Sequence, residues 1–134
     1  MVALFVAPVV GACGSDNGLS GAKAAYVAQV DPICAELQGD IGELGQEPAK
    51  QAEEVEKAVQ RIRDVSKPRD DSVLADRFIA AMQNLFLSLQ DVDESRKVND
   101  QPRAQRALDG VKANAEDAAS AAKDYGMVVC ARKL

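Results

Sequence analysis

The sequence predicts an all-α protein, a four-helix, up-down-up-down antiparallel bundle closed by one disulfide. Three observations point there. Apolar residues recur at steps of three and four along four successive stretches, the period of one helical face. The stretches are joined by short connections carrying Gly, Pro and Asp, as antiparallel neighbours require. Two cysteines, Cys34 and Cys130, lie far apart in the chain and within its helical part.

The first helix carries the cleanest stripe: Tyr26, Val30, Ile33, Leu37, Ile41 and Leu44, with Cys34 beside Ile33. Ser20 is a suitable N-cap. Pro32 interrupts this helix. Either the helix bends there, or Asp31 caps a new start with Pro32 at its first position. The stripe keeps phase through Pro32, which favours one bent helix. Gly39, Gly42 and Gly45 weaken the last turns, each by up to ~1 kcal/mol relative to Ala.

The second helix is expected over 48–66, with Ala52, Val55, Val59 and Ile62 inward and a charged outer face on which Glu53 and Lys57 pair at i,i+4. Lys67-Pro68-Arg69-Asp70 breaks it. The third, over 71–96, is the greasiest. Its inward face is Leu74, Phe78, Ala81, Met82, Leu85, Leu89 and Val92, while Ile79, Phe86 and Leu87 fall off the stripe. In the fourth, Asp100 serves as N-cap, Pro102 is tolerated in the first turn, and the helix runs to Tyr125. Its stripe reads Ala104, Leu108, Val111, Ala115, Ala118, Ala122 and Tyr125. A face mostly of alanine admits a close neighbour but buries little area. Gly126 suits a left-handed C′ position, and Met127-Val128-Val129 then turns back to deliver Cys130.

Composition narrows the chemistry. The 134 residues suit one domain, and the net charge of −5 with a pI near 4.7 argues against a nucleic-acid surface or a basic patch for anionic lipid. The chain has no histidine. His general bases, His-containing triads and His metal ligands are therefore excluded together. No apolar run approaches the length of a membrane-spanning helix, about 18 residues or more.

Val2 to Val10 is an unbroken apolar run of signal-peptide h-region length, followed by Val10-Gly11-Ala12-Cys13, which resembles a bacterial lipobox. That assigns 1–12 to a signal peptide, 13–20 to a lipidated Cys13 with a flexible Gly/Ser/Asp tether, and 21–134 to a single helical domain. The n-region lacks the expected Lys or Arg; a start codon placed downstream of the true one is the favoured explanation, and a cytosolic protein with an apolar N-terminus and a buried Cys13 is the alternative. Two acyl chains on Cys13 would anchor the protein stably at the extracytoplasmic face of the cell membrane.

With Cys13 taken by lipid, Cys34 and Cys130 remain. In an exported protein two buried thiols are normally oxidised, and a loop of about 100 residues gains ~4.7 kcal/mol in the ideal chain-entropy case. Free buried thiols and a redox pair are the alternatives, but there is no C-x-x-C and no histidine to activate a thiolate.

Few other residues suggest chemistry. Asp91-x-Asp93-x-Ser95 begins like a calcium loop, but Arg96 stands where glycine is needed and Pro102 where a bidentate Glu is needed. Glu53-Glu54, Glu56 and Asp70-Asp71 lie on outer faces or helix starts, where acids favour the macrodipole rather than acid/base work. Tyr26 and Tyr125 should meet at one end of the bundle. With Phe78 and Leu85 they are core residues or, alternatively, the lining of a ligand pocket. No catalytic residue, cofactor or metal is expected.

The lipobox, the segment YVAQVDPICAELQ and the terminal YGMVVC together resemble a group of small actinobacterial lipoproteins. Pro32 departs from the alanine of that pattern. The resemblance implies lipid on Cys13, a Cys34–Cys130 bridge and a helical fold, and it implies no substrate. The expected function is a non-enzymatic, lipid-anchored envelope interaction or scaffold protein with an envelope protein as partner. The alternative is a binder of a small apolar ligand or lipid, using a cavity between the third and fourth helices.

Overall fold

The structure is a computed structural model that describes residues 21–133. Four helices account for nearly all of them: α1 (Gly21–Leu44), α2 (Pro48–Asp64), α3 (Ser72–Lys97) and α4 (Gln101–Tyr125). They run up-down-up-down, each packed on the next in sequence, and the α3–α4 contact is the most extensive. Ser20 and Cys13 lie outside the described residues.

Each boundary follows from local chemistry. α1 passes through Pro32 without a break, so the start at Asp31 is not used and the phase of the stripe prevails. Gly45 then takes a left-handed φ of +58°. Pro48 opens α2 at a first-turn position, where its missing N–H is no loss. The Gln51 side chain reaches back to donate to the Gly45 carbonyl at 2.6 Å. At the α3–α4 corner, Asn99 adopts φ +56°. Asp100 N–H donates to Ser95 O at 2.9 Å and Asn99 N–H to Arg96 O at 3.1 Å, a Schellman closure. The Asp100 carboxylate then accepts from Arg103 N–H at 3.0 Å and caps α4, as expected. Gly126 ends α4 at φ +98°. Met127 N–H donates to Ala122 O and Gly126 N–H to Lys123 O, the same closure again.

The core holds Tyr26, Val30, Ile33, Cys34 and Leu37 of α1; Ala52, Val55, Val59 and Ile62 of α2; Phe78, Met82, Leu85 and Leu89 of α3; and Ala118, Ala121, Ala122 and Tyr125 of α4, with Met127 and Cys130. Three details differ from the sequence pattern. Ile79 is buried although it falls off the α3 stripe. Lys57 pairs with Glu54 at 2.6 Å, at i,i+3 and not with Glu53 at i,i+4. On α4, Leu108 is 39% exposed, and Ala107 is buried instead. Gly110 faces Ser88 of α3 so closely that a Cβ there would lie 3.1 Å from Ser88 Oγ. Asn114 Nδ2 donates to that same Oγ at 2.8 Å and to Asn84 O at 3.2 Å. α4 has thus turned its smallest residues toward α3, because backbone proximity gains more contact here than burial of Leu108 would.

Candidate functional site

The side of the bundle between α1 and α4 is built differently from the other three. Among the described residues no Cα of α1 lies within 8 Å of one in α4. The gap is closed by the chain after Gly126, a hook that folds back along α1. Cys130 is bonded to Cys34 with Cα atoms 5.2 Å apart, as the cysteine arithmetic anticipated.

Asp31 holds the hook from α1. Its Oδ2 accepts from Val128 N–H at 3.1 Å, and its Oδ1 accepts from Val129 N–H and Cys130 N–H, both at 3.1 Å. Gln38 Nε2 donates to Val129 O at 3.0 Å. Asp31, Cys34 and Gln38 stand at i, i+3 and i+7, one face of α1. The sequence pattern suggested Asp31 only as a cap. The available signal was its spacing from Cys34, since a strand delivering Cys130 to that face must present its N–H groups to residue 31.

Tyr26 and Tyr125 close the end of the bundle at the start of α1 and the end of α4. Their ring centroids are 5.3 Å apart at 56°, and they are 1% and 0% exposed. Neither hydroxyl has a hydrogen-bond partner among the described residues. Burial, reinforced by Tyr125 and Asp76, pushes the Tyr26 phenol up to about 12. Burial, with Asp71 adding to it, also raises that of Tyr125. Lys23 Nζ lies 4.7 Å above the Tyr125 ring and 3.8 Å from Asp71. Phe78 and Leu85 are likewise in the core, so these four residues form packing and not the walls of the large clefts.

The apolar clefts lie toward the other end. One of about 260 Å³ is lined by Gly45, Gln46 and Pro48 at the α1–α2 turn, Leu89 and Val92 of α3, and Leu108 and Val111 of α4. A second of about 310 Å³ adjoins it through Leu108 and Val111 and continues past Lys112, Ala115 and Glu116 to Lys133. The first is walled by both α3 and α4 and the second by α4 and Lys133, and both are open troughs on the surface, not cavities enclosed within the bundle.

The side chains of the Asp91-x-Asp93-x-Ser95 stretch are engaged with neighbours. Asp91 pairs with Arg103, Asp93 with Lys97 at 2.6 Å, and Ser95 Oγ donates to Asp91 O at 2.5 Å. The acids that begin like a calcium loop thus serve the helix surface. Among the described residues no group of His, Cys, Asp and Glu side chains is arranged to hold a metal ion, and no helix is long and apolar enough to cross a membrane. No family model matches the chain, and neither a curated protein nor a solved structure matches it.

Proposed function

We propose that this protein is a lipid-anchored extracytoplasmic binding module, a helical bundle tethered through Cys13 that works by contact with an envelope partner and not by catalysis. The observation that carries this is the pairing of Cys34 with Cys130. It supports an oxidising compartment and leaves Cys13, at the end of an apolar run, as the one cysteine for lipid. It also ties both domain sulfurs into a bond, where neither is a nucleophile. The small actinobacterial lipoproteins it resembles support the same compartment.

The test is mass spectrometry of the N-terminal peptide from isolated membranes. A diacylated Cys13 as first residue is expected, and Cys13→Ser should release the protein from the membrane fraction. An unprocessed chain beginning at Met1 in the cytosol would refute the tether. The two adjoining apolar clefts favour a second reading, binding of a small apolar ligand on the open side of α4.

A further inference from the structure

We infer that the trough along α4 is a binding site for a free single-chain anionic amphiphile, a long-chain fatty acid, and this rests on the apolar-ligand reading just given. Its shape is linear. Leu108, Val111, Lys112, Ala115 and Glu116 stand at i, i+3, i+4, i+7 and i+8, a straight line of about 12 Å along the helix. Leu89 and Val92 of α3 extend the apolar wall beside it, and the α1–α2 turn closes one end. A packed helix is about 10 Å across and would rest on top of such clefts, whereas an unbranched hydrocarbon chain lies within them. The Gln51 amide on the wall already donates to Gly45 O, and Leu89, Val92, Leu108 and Val111 keep most of this cleft's lining apolar.

The charge of the rim selects the head group. Lys112 and Lys133 flank the cleft nearer the hook, with Glu116 3.4 Å from Lys133, and Arg96 flanks the other. In a chain of net charge −5 this is a local excess of positive charge beside an apolar floor. The same overall negative charge disfavours docking on an anionic bilayer, which points to the free amphiphile as occupant.

The experiment uses the full chain carrying Cys13→Ser, oxidised and purified, and measures displacement of a fluorescent fatty acid by palmitate. Saturable 1:1 binding is expected. Leu108→Glu should weaken it by about tenfold or more with helix content and melting temperature retained, since Leu108 is already 39% exposed. Leu87→Glu, at a 56% exposed site on α3 away from the trough, should leave it unchanged. The double variant Lys112→Glu, Lys133→Glu should weaken palmitate but not the alcohol of the same chain length. Equal binding of acid and alcohol by the unsubstituted trough would overturn the anionic-head assignment while sparing the apolar-ligand reading. No saturable binding of either, or binding indifferent to Leu108→Glu, would overturn both. Competition by anionic phospholipid vesicles as strong as by palmitate would show a membrane surface as the occupant and also overturn the proposal.

Discussion

At Asp31 one carboxylate receives three consecutive backbone N–H groups of the hook, each at 3.1 Å. Hydrogen bonds to a charged acceptor contribute about 1.5–3 kcal/mol each at most, less where water competes. Asp31→Asn keeps the shape and removes the charge. It is expected to lower stability by about 1–3 kcal/mol with the disulfide intact, roughly 4–12 °C in thermal unfolding. No change would mean the hook is held by the sulfurs alone. The tyrosine pair makes the opposite case. A buried hydroxyl without a partner is unfavourable, so Tyr26→Phe should leave the melting temperature at neutral pH unchanged or raise it. The pH dependence has a defined sign. Tyr26 ionises near 10 when unfolded and near 12 when folded, so its contribution is complete below pH 10 and is lost as pH rises from about 10 to 12. Denaturant titrations across that window should show stability falling, and Tyr26→Phe should flatten the fall. The meeting of the two tyrosines was legible from their positions at the ends of antiparallel neighbours. That their hydroxyls find no partner among the described residues was not, because this depends on atoms from several elements.

Helix limits were the most readable feature, since each rests on residues adjacent in sequence: Pro48 at the start of α2, Asp100 as the cap of α4, Gly126 at its end. The rotation of α4 was legible only in part. The stripe chosen for hydrophobicity includes Ala104, Ala118, Ala122 and Tyr125, which are buried, but also Leu108, which is exposed, and Val111, which is half-buried. Ala107 and Ala121 are buried beside that stripe, and Gly110 and Asn114 lie directly on Ser88. Small residues set how closely two helices approach, and the partner decides whether that closeness is used. Gly110→Ala tests it. Helix propensity alone would give a gain of up to about 1 kcal/mol, but the new methyl would meet Ser88 Oγ at 3.1 Å. Chemical denaturation should show Gly110→Ala gaining little or losing, and gaining more in a Ser88→Ala background, with a coupling of about 0.5 kcal/mol or more. Strict additivity would mean the contact is loose.

For the molecule as a whole, three sides of the bundle close by helix packing and the fourth by the hook and its bridge. The sequence pattern told which faces are apolar and which cysteines pair. It did not tell how far apart α1 and α4 stand, since that distance is set by what lies between them. Cys34→Ser should therefore cost about 3–5 kcal/mol, toward the chain-entropy limit for a loop of this length, read as a large fall in melting temperature. Reduction of the wild-type protein should reproduce it.

Alkylation of the protein taken from its own cells and unfolded without reductant asks whether Cys34 and Cys130 meet covalently outside the cytoplasm. Both should resist modification until a reductant is added. Two freely alkylated thiols at these positions would contradict the clasp, and with it the oxidising compartment on which the tethered role depends.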